Sequence, residues 1–209
     1  MSLDSKVLEA LRNVRVIPVV TVVDADQAFG IADAFRAGGL NVIEITLRTD
    51  AAIASIRALK ERYPNLCVGA GTVLNGDDLA AAESAGADFV VTPGVTPALL
   101  DALVSSSIPA IPGAQTSSEV MTLSEAGFDV VKFFPAETCG GVDAIKAMAG
   151  PLRGVQFVPT GGIGPSQVRG YLDLPNVLAV GGSWVAPSTL VRDGDWIEIE
   201  RNAARVGEL

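Results

Sequence analysis

DVVKFFPAE, residues 129–137, is a short apolar run that ends in a turn and carries one lysine inside it. Apolar runs of this length, bounded by turn signals, read as buried strands. Comparable Val/Ile-rich runs lie at residues 16–22, 42–46, 67–70, 89–91, 110–111, 130–133, 156–158 and 178–180. Between them fall helical patterns at 24–37, 50–62, 76–85, 97–105, 117–126, 142–148 and 165–171, with two more at 3–13 and 195–206. Gly38-Gly39, Gly86 and Gly127 stand where helices end, and Asp24, Pro97, Ser117 and Pro165 stand where helices start. Continuously apolar strands that alternate with helices predict a parallel sheet covered by helices. Eight strand runs at near-regular spacing predict a closed (β/α)8 TIM barrel with an extra N-terminal helix. An open doubly wound sheet is the alternative that the same alternation allows. No linker or shift in composition divides the chain, so residues 1–209 are expected to form one domain.

The composition narrows the function classes. Hydrophobic residues make up 49% of the 209 residues and charged residues 19%, enough to bury a core and too apolar for disorder. A net charge of −9 argues against a nucleic-acid or anionic-membrane surface. It leaves room for a small anionic substrate, because backbone N–H groups hold a phosphate locally. No basic segment followed by an apolar stretch opens the chain, and no run is apolar for long enough to span a bilayer. Cys67 and Cys139 have no metal-ligand or CxxC spacing, so two reduced thiols in a cytoplasmic protein are expected, with no metal. The chain has no histidine, so proton transfer falls to carboxylates, lysine, tyrosine, cysteine or water.

In a barrel of this type the active groups sit at the carboxyl ends of the strands. In order, those ends offer Glu44 and Arg48, Thr72, Pro93, Pro112-Gly113, Lys132, Thr160 to Gly162, and Gly182-Ser183. Of the four lysines, Lys6, Lys60 and Lys146 lie in helical patterns, and only Lys132 lies in a strand. Alternation places Val130, Lys132 and Phe134 on one face. A lysine stripped of water there is expected to lose its proton readily and to attack a ketone, which makes Lys132 a candidate Schiff-base nucleophile. A snorkelling lysine or a structural ion pair is the competing reading. In NVIEITLRT, residues 41–49, Val42, Glu44 and Thr46 share a face, while Ile43, Ile45 and Leu47 turn toward the helices. Glu44 is then an inward carboxylate that needs either a cationic partner or a proton to move. Arg48 is a fork for a carboxylate or phosphate. Gly161-Gly162 and Gly181-Gly182-Ser183 follow strand runs seven and eight, where barrels of this kind bind phosphate, with the next helix N-terminus expected to help.

Taken together, these residues resemble the 2-keto-3-deoxy-6-phosphogluconate (KDPG) aldolases, which often also cleave 4-hydroxy-2-oxoglutarate. The resembling segments are IPVV (17–20), EITLRT (44–49), GAGTVLN (69–75), TPGVTP (92–97), IPGAQTSSE (111–119), VKFFPAE (131–137), PTGGI (159–163) and VGGSW (180–184). The resemblance implies that Lys132 forms the Schiff base and that Glu44 is the general acid and base. It implies that Arg48 and Thr72 hold the pyruvate carboxylate, with Thr160 nearby influencing stereochemistry. Pro93 and Phe134 would line the pocket, and Gly161, Gly162, Gly182 and Ser183 would bind the phosphate. It further implies a homotrimer, no cofactor, and a phosphorylated keto acid as substrate. One departure stands out: relatives read closer to IPGVATPSE where this chain has IPGAQTSSE, a loop in the wall of the site that bears on substrate breadth.

Overall fold

The structure, a computed structural model, describes residues 3–209. Strands and helices alternate from end to end: α1 (Ser5–Val14), β1 (Val16–Val20), α2 (Ala25–Ala37), β2 (Val42–Thr46), α3 (Ala52–Arg62), β3 (Cys67–Gly71), α4 (Gly76–Ser84), β4 (Phe89–Val91), α5 (Pro97–Ser105), β5 (Ala110–Ile111), β6 (Gly113–Ala114), α6 (Ser117–Glu125), β7 (Val130–Phe133), α7 (Gly141–Met148), β8 (Gln156–Pro159), α8 (Val168–Leu172), β9 (Val180–Gly182), α9 (Ser188–Asp193) and α10 (Trp196–Val206). All pairings between strands are parallel, in the orders β5-β4-β3-β2-β1-β9 and β6-β7-β8. Single bridges tie Phe157 to Val177 and Thr160 to Gly181, so β8 also touches the segment that runs into β9. The result is a single α/β fold with a curled parallel sheet of TIM-like form.

Two apolar clusters flank the strands. One joins the helices to outward strand residues such as Ile43, Ile45, Val131 and Phe133. The other gathers Ile17, Val42, Cys67, Phe89, Val91, Ile111, Val130 and Val158 from both sheets and packs them on Leu3, Val7 and Leu11 of the N-terminal segment. The alternation read from 41–49 and 129–137 therefore has the correct phase. Val42 and Val130 occupy the inner cluster, and Glu44 and Lys132 lie two residues further toward the carboxyl ends on the same face.

Several boundaries differ from expectation, each for a local reason. The fifth strand is two pieces, because Pro112 between them has no N–H to give to a ladder. Its neighbours compensate: Thr92 Oγ1, fully buried, accepts from Gly113 N at 2.9 Å, and Pro112 O accepts from Lys132 N at 2.9 Å. The last strand is Val180–Gly182 rather than 178–180, since it takes its register from β1 through Val16↔Val180. The helix expected over 165–171 starts only at Val168, with Gln167 as an N-cap whose side chain makes no capping bond to the helix. α6 begins at Ser117, as expected, and Thr116 before it is the cap. No helix among the described residues is long and apolar enough to cross a membrane.

Candidate active site

Glu44 is the third residue of β2 and Lys132 the third of β7, and both are nearly sealed from solvent, at 2% and 5% exposure. Their strands belong to different sheets in the pairing order, yet the curl brings Nζ within 3.8 Å of Glu44 Oε1. That gap exceeds hydrogen-bond contact. Glu44 Oε1 is correspondingly a buried acceptor with no hydrogen-bond partner. That oxygen nevertheless lies within ion-pair distance of the Lys132 nitrogen, so a carboxyl group stands beside the amine. Lys132 Nζ also lies 5.1 Å from the centroid of the Phe134 ring, the two side chains sharing a face.

The neighbours of this pair make room for it. Glu44 stands opposite Gly69 and beside Gly71 in the register with β3. A Cβ on Gly71 would lie 2.1 Å from Glu44 Oε1, so only glycine leaves the carboxylate its place. Lys132 pairs with Gly113 on one side and Val158 on the other. Thr160, 8% exposed, ends the neighbouring strand, and its hydroxyl donates to Val158 O at 3.4 Å.

The remaining candidates sit at the strand ends. Thr72 follows β3 directly and has φ +61, a left-handed backbone that a β-branched residue adopts only under strain. Pro93 and Phe134 are half-buried after β4 and β7. Arg48 is exposed beyond β2, and its side chain is in no ion pair among the described residues. Gly161 and Gly162 follow β8 with φ +105 and +81, and Thr160 bridges to Gly181 beside Gly182 and the exposed Ser183. The two glycine loops are thus adjacent. The helix dipole expected behind Gly162 is not there, because α8 begins at Val168 and has five residues. Any anion held at these loops is held by backbone N–H groups and by side chains.

Sequence reasoning passed over Gly71 and Thr92. Each lies in a segment that had been singled out, but neither carries a chemically active group. Their roles are to leave space and to bridge the break at Pro112, and both depend on neighbours far away in the chain.

Fold and pair together define the class: a TIM-like α/β protein whose buried lysine and carboxylate meet toward the carboxyl ends of its parallel strands. The family model described as KDPG and KHG aldolase matches residues 7–202. The chain belongs to that family. It is 46% identical over 190 residues to the 2-dehydro-3-deoxy-phosphogluconate aldolase of Pseudomonas aeruginosa, covering 91% of this chain and 86% of that protein. It is 46% identical over 193 residues to the KHG/KDPG aldolase of Escherichia coli K12, covering 92% and 91%. A solved KDPG aldolase of Legionella pneumophila, with pyruvate captured at low pH as a covalent carbinolamine intermediate, superposes with a TM-score of 0.92. The two are 39% identical, and the match covers 95% of this chain and 97% of that one.

Proposed function

We propose that this chain is a class I aldolase that cleaves 2-keto-3-deoxy-6-phosphogluconate to pyruvate and D-glyceraldehyde 3-phosphate through a Schiff base on Lys132. The observation that carries the reading is the buried pair, with Lys132 Nζ 3.8 Å from an otherwise unpartnered Glu44 Oε1. The family names of the relatives support the substrate class.

Each step has a residue to perform it. The Lys132 amine adds to the C2 ketone, and Glu44 relays protons as the carbinolamine forms and loses water. The protonated imine draws electrons from the C3–C4 bond. Glu44 takes the proton of the C4 hydroxyl, that bond breaks, and glyceraldehyde 3-phosphate leaves. The enamine left on Lys132 is protonated at C3 and hydrolysed to pyruvate. Arg48 and Thr72 hold the carboxylate of the keto acid, and Pro93, Phe134 and Thr160 shape the pocket around it. Gly161, Gly162, Gly182 and Ser183 take the phosphate. The same machinery suits 4-hydroxy-2-oxoglutarate and the galactonate isomer of the substrate, and kcat/KM across the three decides which is preferred.

The architecture we infer is a single domain, 1–209, in which the two sheets are one (β/α)8 barrel with α1 as an additional N-terminal helix. Continuity of β5 into β6 across Pro112, pairing of β9 with β1, and the bridges from β8 to the segment around β9 support closure. The family resemblance supports a cytoplasmic homotrimer.

Borohydride reduction in the presence of pyruvate tests the mechanism. The wild-type chain is expected to gain a stable pyruvyl mass on Lys132, and Lys132→Ala to gain none and to be almost inactive. Full turnover by Lys132→Ala would refute the assignment.

A further inference from the structure

One contact between a buried tyrosine and an exposed glutamate lies at the turn after β7 and is used by no step above. Tyr171, on α8, is fully buried, and its hydroxyl donates a hydrogen bond to Glu137 Oε1. Burial first, and the carboxylate second, push the Tyr171 phenol well above its ordinary value, so it remains a donor at any physiological pH. Glu137 belongs to the turn that leaves β7, five residues after Lys132.

Glu137 reaches the double-glycine loop in two ways. Its N–H donates to Gly161 O at 3.1 Å, next to a parallel bond from Ala136 N to Thr160 O at 2.8 Å. Its side chain packs against Gly162, where an added Cβ would lie 2.9 Å from Glu137 Cβ. A peptide is planar and trans, so its carbonyl and its N–H point in opposite directions. Holding Gly161 O on the Glu137 side therefore turns the Gly162 N–H the other way. The loop has no helix N-terminus behind it, so the orientation of its peptides is what an anion must rely on.

We propose that Glu137 and Tyr171 are a positioning pair for the phosphate end of the substrate, the buried hydroxyl fixing Glu137 and Glu137 fixing the Gly161–Gly162 peptide. Neither residue touches the reacting carbons. The proposal rests on the aldolase reading for its substrate, and it assigns the pair to binding of the phosphorylated half alone.

Tyr171→Phe keeps the ring in the core and deletes only the hydroxyl. For this variant we expect KM for the phosphorylated substrate and the inhibition constant of inorganic phosphate to rise about tenfold, the equivalent of about 1.4 kcal/mol. Turnover of 4-hydroxy-2-oxoglutarate, its KM, and the pyruvyl mass trapped on Lys132 are expected to match wild type. Glu137→Gln, which retains an acceptor for the hydroxyl, is expected to stay near wild type, whereas Glu137→Ala should repeat the Tyr171→Phe defect. A parallel loss for both substrates, or no change in phosphate inhibition, would overturn the pairing. Failure of the wild-type chain to trap pyruvate would instead overturn the imine reading, and calorimetric titration with inorganic phosphate would still decide the role of the pair.

Discussion

Glu44 and Gly71 show how much of the site is decided by single atoms. The carboxylate lies where any side chain on Gly71 would place its Cβ, 2.1 Å from Oε1 and 2.8 Å from the carboxyl carbon. Gly71→Ala is expected to fold and to retain Lys132, but to push Glu44 off its line to the amine. A displacement of about 1 Å at a reacting group can cost about 10²-fold in rate. A fall of that size in kcat, with the lower melting temperature that an overpacked interior brings, is the expected result. Glu44→Gln keeps the shape and deletes the proton acceptor, and proton transfer of this kind is worth about 10²–10⁴-fold. Steady-state kcat of the two variants side by side separates misplacement from loss of the group. Lys132 was legible from the sequence because it alone of the lysines interrupts a strand. The space beside Glu44 was not, since a glycine on a neighbouring strand carries no mark of what it leaves room for.

At the level of elements, α6 illustrates local chemistry that reads directly into structure. Thr116 and Glu119 form a capping box: Thr116 Oγ1 accepts from Glu119 N at 3.3 Å, and Glu119 Oε2 accepts from Thr116 N at 2.8 Å. Gln115 N adds a further bond at 2.8 Å. The N–H of Gln115 first, and the Thr116 donors after it, hold the Glu119 carboxyl below the ordinary glutamate range. A depressed folded value stabilises the fold above the unfolded value and loses that contribution as pH falls through the folded one. Glu119→Gln is therefore expected to melt below wild type at neutral pH and to converge on it in acid. Melting curves from pH 7 downward check the sign. Thr116→Ala should cost about 1 kcal/mol at neutral pH and less in acid, where the bond from its hydroxyl to the Glu119 carboxylate is lost. The sequence placed the start at Ser117, where α6 begins, but not its cap at Thr116, because Thr and Ser adjoin there and either can cap. The break at Pro112 was foreseeable in kind, since proline cannot donate to a ladder. Its repair by Thr92 depends on a partner on another strand.

For the molecule as a whole, the end of the sheet remote from Lys132 is closed by apolar contact. Leu11 of α1 is completely buried and packs with Leu3, Val7 and the inner strand residues. Truncating a buried leucine to alanine typically costs about 2–5 kcal/mol through lost transfer energy and the cavity left behind. Leu11→Ala is expected to lower the unfolding free energy measured by urea titration by that amount, shifting the midpoint down, while the folded fraction keeps its kcat, because Leu11 lies at the opposite end from Lys132 and Glu44. A drop in kcat at full folding would mean that the two ends are coupled.

By itself the sequence determined the alternation of strands and helices, the phase of the two strands that carry Glu44 and Lys132, and the one lysine that lies within a strand. Those are matters of local period and of residue chemistry, and they are written into neighbouring positions. Only the tertiary structure decided that Glu44 meets Lys132, that Gly71 leaves it room, and that Tyr171 reaches the turn after β7. Each of these depends on the curl and register of strands far apart in the chain, and no local pattern encodes a distance through space.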